Sequence, residues 1–222
     1  MNKQILLSFS LLFSSICFVA KWLWGQQPEQ DCINALPVCR GIYTQPNSYV
    51  GGGRTPSEIN RNISCLLQGE RNGVWYVINV TSDGELLFEI TPRNLSDDYD
   101  WAVYNLTNAT CSDIRNNAAL QVSCNYSSTS GATGTRRGYT ANSQPAAGPP
   151  FNAPIRVRRG EKYYLYISNY SSTQYGYTLN FLGSTAGVLD TIAPVLKSIT
   201  GNFECGATQL SVTFTKGILC YS

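Results

Sequence analysis

Val74-Trp75-Tyr76-Val77-Ile78-Asn79-Val80 decides the fold class. Val74, Tyr76, Ile78 and Val80 share one face of an extended chain, and Trp75 and Val77 share the other. That is the period of a strand, and the run is dense in β-branched and aromatic side chains. Ser82-Asp83-Gly84 supplies a turn, after which Glu85 to Thr91 puts Leu86, Phe88 and Ile90 on one face, so the two runs are expected to pair as a hairpin. Working outward, Asp100 to Asn105 reads as a third strand and Ala118 to Cys124 as a fourth. Residues 127–150 are rich in Ser, Thr, Gly and Pro and read as a long surface loop that buries little. Ile155 and Val157 alternate with Arg156 and Arg158, and Lys162 to Ser168 and Tyr175 to Leu182 complete the set. Short strands between turns, with no convincing helix, point to an all-β fold, an antiparallel β-sandwich.

The two ends read differently. Met1-Asn2-Lys3 followed by the apolar run Ile5 to Ala20 is too short to span a bilayer comfortably and reads as a signal peptide, residues 1–25, cleaved after Gly25. The sandwich then occupies residues 26–183. Gly183 to Gly187 is linker-like, and residues 184–222 read as a linker and an incomplete Ig-like domain, the start of a module in a longer protein.

Composition limits the chemistry. The 222 residues hold 16 Lys and Arg against 14 Asp and Glu. Losing Lys3 and Lys21 with the leader brings the balance to zero, which argues against a nucleic-acid partner. There is no His, so neither a Ser-His-Asp nor a Cys-His catalytic set exists within the chain, nor any His-ligated metal. We expect no enzymatic activity. Seven cysteines follow the leader, and in an oxidising compartment they read as disulfides. Cys111 and Cys124, enclosing 12 residues, are the expected pair. Cys32, Cys39 and Cys65 hold one more pair that spacing leaves open, and Cys205 and Cys220 are placed to pair with each other. The odd number leaves at least one thiol free or bonded outside the chain.

An ordered series of motifs carries a resemblance. Asp31-Cys32-Ile33-Asn34-Ala35-Leu36-Pro37-Val38-Cys39 is followed by Ser64-Cys65-Leu66, Gly69-Glu70-Arg71-Asn72-Gly73-Val74-Trp75-Tyr76, Asp97-Asp98-Tyr99-Asp100-Trp101-Ala102-Val103-Tyr104 and Cys111-Ser112-Asp113-Ile114. The series resembles the N-terminal β-sandwich of large Bacteroidetes surface proteins associated with gliding motility and exported by the type IX secretion system. The resemblance implies a secreted, cell-surface, adhesin-like module, outside the outer membrane, with the type IX machinery as its export partner. It leaves open whether the surface ligand is a polysaccharide or a protein. The acidic strand entry is also similar to that of calcium-binding prepeptidase C-terminal domains, so a jelly-roll or prepeptidase C-terminal-like sandwich is expected. The Bacteroidetes resemblance further makes Asp190-Thr191-Ile192 a candidate O-glycan site.

Asp97, Asp98 and Asp100 are the candidate metal ligands. Three carboxylates in four residues repel unless neutralised, and Ca²⁺ takes six to eight oxygens. Asp98 and Asp100 are expected on one side of the strand, with Glu70 able to join. The competing reading is a solvated acidic loop. Tyr163, Tyr164, Tyr166, Tyr170, Tyr175 and Tyr177 crowd the last strands and raise one alternative, a carbohydrate-binding module; an accessory domain of a secreted protease or hydrolase is a further one, which the tyrosines do not bear on.

Overall fold

The computed structural model describes residues 27–55, 57–189, 195–201 and 210–214. The leader and its cleavage point, Thr191, Cys205 and Cys220 lie outside the described residues.

The structure is all-β, with two principal sheets that each mix parallel and antiparallel pairs. The first contains β1 (Leu36–Pro37), β3 (Gly73–Asn79), β6 (Tyr99–Asn105), β7 (Gln121–Asn125), β9 (Ser143–Gln144) and β12 (Lys162–Asn169), in the order β1-β3-β12-β6-β7-β9. The second contains β2 (Ile42–Gln45), β5 (Glu89–Pro92), β8 (Thr133–Thr135), β10 (Phe151–Asn152) and β13 (Tyr177–Asn180), in the order β10-β8-β5-β13-β2. β4 (Gly84–Leu86) pairs with β11 (Ile155–Val157), and β14 (Leu196–Gly201) with β15 (Leu210–Phe214).

Alternation sorts side chains into two cores. Val74, Tyr76 and Ile78 of β3, Trp101 and Val103 of β6 and Leu165 of β12 meet Ile90, Leu179 and Tyr43 of the second sheet. The opposite face of the first sheet is also covered. Trp75, Ala102, Tyr104 and Tyr166 pack beneath Cys32, Ile59, Leu66 and Ile114, contributed by coil and by the short helix α1 (Cys111–Ile114). The central strands are therefore buried on both faces, and the fold has a third, irregular layer. Gly73 makes room in it: a Cβ there would lie 2.2 Å from the Tyr166 ring, which itself rests 4.9 Å from Trp75.

Two disulfides lace that layer down, Cys32–Cys111 and Cys65–Cys124. This corrects the expected Cys111–Cys124 pair. Cys124 points from β7 into the outer layer and is met by Cys65, while Cys111, at the start of α1, meets the N-terminal coil. Cys39 is an exposed free thiol. In the chain-entropy model, closing loops of 79 and 59 residues contributes about 4 kcal/mol each.

Further expectations about the strands and loops are corrected. The hairpin between residues 74–80 and 85–91 does not form: β3 pairs with β1 and β12, whereas the second run splits into β4, paired with β11, and β5, paired with β13 and β8. The Ser82-Asp83-Gly84 turn carries the chain out of the first sheet. Leu87 and Phe88, both buried, then break the alternation between the two short strands. Residues 127–150 are not a loop that buries little, because they form β8 and β9 and bury Ser127, Thr133, Thr135 and Gln144. Polar side chains manage this by satisfying buried neighbours. Thr133 Oγ1 accepts from Trp101 Nε1 (2.9 Å) and donates to the Pro150 carbonyl (2.6 Å), and Thr135 Oγ1 accepts from Phe88 N (3.0 Å). Gly134 adopts φ +143°, where a Cβ would meet the Phe88 carbonyl. The expected strand from Ala118 begins with a 3-10 turn and becomes β7 only at Gln121. The sandwich keeps the chain as far as Leu189: Ala186 and Val188 enter the core, and Thr185 and Ala186 N–H groups donate to the Glu85 carbonyl.

Candidate functional site

The acidic strand entry is divided by the pleat of β6. Asp97 is buried and engaged, its carboxylate accepting from Asn94 Nδ2 (3.1 Å) and from the Thr173 hydroxyl. Asp98 and Asp100 share the outer face and are half-buried. Asp98 Oδ1 is out of contact with solvent and has no hydrogen-bond partner among the described residues, while the Asp98 main chain is held at its carbonyl by Tyr170 N (2.9 Å) and at its N–H by Ser171 Oγ (2.8 Å). Burial, and then the neighbouring Asp98 charge, push the Asp100 carboxyl up to about 7. Desolvation likewise raises Asp98. Glu70 is committed elsewhere. Asp98 and Asp100 leave two carboxylates for an ion that takes six to eight oxygens, and among the described residues no group of three or more His, Cys, Asp or Glu is placed to hold a metal ion.

The tyrosine-rich strands are mostly interior. Tyr163, Tyr166 and Tyr177 are buried, and Tyr177 exchanges a 2.9 Å hydrogen bond with Tyr76. Tyr170 and Tyr175 remain exposed, in the loop between β12 and β13, and Arg71 lies over the Tyr170 ring at 5.7 Å. Two of the Asn-x-Ser/Thr positions are structural. Asn169 Nδ2 donates to Ser48 Oγ (2.8 Å) and the Thr173 carbonyl (2.9 Å), and Asn125 Nδ2 donates to Asn152 Oδ1 (2.8 Å), with both asparagines buried.

The most perturbed carboxyl is Glu70, far from the acidic run. It is buried under the outer layer, accepting from Trp75 Nε1 (3.2 Å) and Glu58 N (2.9 Å). Its carboxyl also hydrogen-bonds that of Glu58, which in turn accepts from Cys32 N (2.9 Å). Burial first, then the Glu58 charge, push Glu70 up to about 9, so the pair shares one proton at neutral pH. Asp31 stands beside it, accepting from the N–H groups of Arg54 and Thr55 at 2.8 Å each. With these lone pairs taken by backbone and indole donors, the pair is a clasp between layers and offers no open face to a substrate. A twelve-residue separation in coil carries no sequence signature.

Charges are partitioned unevenly. Arg40, Arg54, Arg61, Arg93 and Arg115 are exposed, as are the arginines at 136, 137, 156, 158 and 159. Among the acids of residues 27–189, Asp83 and Asp113 alone reach that degree of exposure. No family model matches the chain, and no curated protein or solved structure matches it either.

Proposed function

We propose that this chain is a non-catalytic module at the N-terminal end of a large exported cell-surface protein, adhesin-like and acting in surface attachment or gliding motility. The observation that carries the reading is the pair of disulfides in the outer layer, Cys65–Cys124 tying it to β7 of the first sheet and Cys32–Cys111 joining two of its own segments, because such bonds form and persist in oxidising compartments. The order of crossings supports a jelly-roll variant of the prepeptidase C-terminal kind. The chain passes from β2 to β3, from β5 to β6 and from β12 to β13, and each step moves it between the two principal sheets. We read β14 and β15 as the opening of an Ig-like module.

The test is accessibility on intact source cells. An antibody raised against residues 26–183 should label unpermeabilised cells, and added protease should remove the label. Loss of the type IX machinery should trap the chain inside. A chain that stays cytoplasmic in wild-type cells would overturn the reading.

A further inference from the structure

We propose that the arginine-lined strip built by β4, β11 and the turn after β8 binds an acidic polysaccharide, one bearing uronate or sulfate groups. The inference rests on the reading of the chain as a surface-contact module and names the chemistry of the contact.

The strip follows from strand geometry. Ile155 and Val157 of β11 enter the core, so Arg156 and Arg158 project together from the other face. Arg156 lies opposite Glu85 of β4, and Glu85 is gripped from the far side by Arg137 at 2.8 Å. Arg136 continues the line, bonded to Glu89 at 2.7 Å and lying 3.6 Å over the Phe151 ring. At the other end, the acids nearest Arg158 and Arg159 are hydrogen-bonded by donors other than the guanidinium groups, though they keep their charge. Glu161 accepts from Arg158 N (2.7 Å) and the Tyr163 hydroxyl (2.8 Å), and Asp83 accepts from Arg159 N (2.7 Å). The guanidinium groups of Arg156, Arg158 and Arg159 are therefore exposed, with no ion-pair partner among the described residues. Two open grooves flank the Glu85 crossing, one of about 300 Å³ lined by Arg136, Arg137 and Glu89, and one of about 480 Å³ in which Arg156 and Arg158 alternate with Asp83, Glu85 and Glu161.

The alternation of charge selects the partner. Guanidinium forks match carboxylate and sulfate groups in two-point contacts. The carboxylates of Glu85 and Glu89, standing between arginines, accept hydrogen bonds from hydroxyls. A polysaccharide carries both anions and hydroxyls, and so satisfies both. A DNA phosphate backbone offers the anions without the hydroxyls. Base stacking also lacks a platform here, since Arg136 covers Phe151.

Binding of the full chain to polygalacturonate is measured by affinity electrophoresis, with dextran, single-stranded DNA and phosphatidylglycerol vesicles in parallel. The expected result is retardation by polygalacturonate that weakens in strong salt, and none by dextran. The triple variant Arg156→Ser, Arg158→Ser, Arg159→Ser should bind at least tenfold more weakly. Arg54→Ser, Arg61→Ser, Arg115→Ser removes the same charge elsewhere and should stay within about twofold of wild type. Wild-type chain should also show Arg156, Arg158 and Arg159 shielded from phenylglyoxal when polygalacturonate is present, a readout independent of variant folding. No retardation, equal loss in both triple variants, absent shielding, or DNA or vesicles binding as tightly as polygalacturonate would each overturn the inference. A chain displayed on cells that fails these assays sinks the polysaccharide contact alone, whereas binding by a chain never displayed sinks the surface reading instead.

Discussion

Glu58→Gln should remove part of the alkaline instability of this fold, the part set by the Glu58 charge rather than by the burial of Glu70. In the wild type the Glu58 and Glu70 carboxyls share a proton beneath the outer layer. The folded state holds that proton up to about pH 9, while the unfolded chain releases it near 4.5. Between those values the unfolded state binds fewer protons. The stability contribution is thus complete below about 4.5 and is lost as pH rises toward about 9. At about 1.4 kcal/mol per pH unit the full interval bounds the loss at about 6 kcal/mol. Glu58 is half-buried, and the water that reaches it screens the repulsion, so we expect on the order of 3 kcal/mol. For a domain of this size that is a fall in Tm of roughly 6–12 °C. With the substitution, the pair keeps the net charge of its singly protonated form without needing the proton. The new amide oxygen still accepts from Cys32 N, and the amide N–H donates to a Glu70 carboxylate that already receives Trp75 Nε1 and the main-chain N–H of position 58. Differential scanning calorimetry from pH 5 to 9 should therefore show the variant matching wild type at pH 5 and melting above it by about 3 °C or more at pH 9, with the burial of Glu70 keeping some alkaline loss in both proteins. Parallel Tm curves for the two proteins would refute the shared proton.

Other perturbations read other parts of the structure. Non-reducing peptide mapping should recover the Cys32–Cys111 and Cys65–Cys124 linked peptides, and Cys32→Ser with Cys111→Ser should lower Tm by about 8–16 °C, from about 4 kcal/mol of lost loop constraint. Asp100→Asn should raise Tm progressively as pH climbs from about 3.8 to about 7 and by a constant amount above that, because burial and then Asp98 hold the folded carboxyl up to about 7 while the unfolded chain ionises near 3.8, so the wild type loses stability across that window. Secreted from a eukaryotic host, the chain should carry glycans at exposed Asn62 and Asn108 and none at buried Asn125 and Asn169, as glycopeptide mass spectrometry would report.

Facing was legible in the sequence wherever a strand was long. Val74, Tyr76 and Ile78 enter the core between sheets and Trp75 the outer layer, as period two requires, and Leu86, Phe88 and Ile90 share a core as expected. Pairing was not legible. Whether a turn returns a strand to its own sheet depends on what lies across the sandwich, and Ser82-Asp83-Gly84 reads the same either way. Residues 127–150 misled because composition reports hydrophobicity, whereas Ser127, Thr133 and Thr135 are buried by virtue of hydrogen bonds with partners distant in sequence. Disulfide pairing favoured the nearest cysteines, but α1 and β7 present Cys111 and Cys124 to different stretches of the outer layer. The acidic run Asp97, Asp98 and Asp100 was conspicuous, yet the strongest perturbation falls on Glu70, whose partners Glu58 and Trp75 come together only when coil folds over the sheet.

A balanced formal charge therefore conceals an unbalanced surface. Lys3, Lys21, Lys197 and Lys216 lie outside residues 27–189, leaving twelve of the 16 basic residues within; Asp190 and Glu204 lie outside, leaving twelve of the 14 acidic ones. Folding then separates the two sets. Asp31, Glu70 and Asp97 are buried and Glu58, Asp98 and Asp100 half-buried, while of the twelve cations all but Arg71 stay exposed. The asymmetry has a chemical cause. Carboxylates are short acceptors that can satisfy backbone N–H groups inside irregular coil, as Asp31 and Glu58 do, whereas guanidinium groups carry five donors that interior carbonyls seldom all meet. A sandwich dressed with a long coil layer uses its acids as internal fasteners and leaves its arginines outside. Net charge from composition then misses the arrangement: a domain neutral in sequence presents its guanidinium groups to solvent and holds its carboxylates further in, and around Arg156 the two alternate, with Asp83, Glu85 and Glu161 lining the groove beside Arg156 and Arg158.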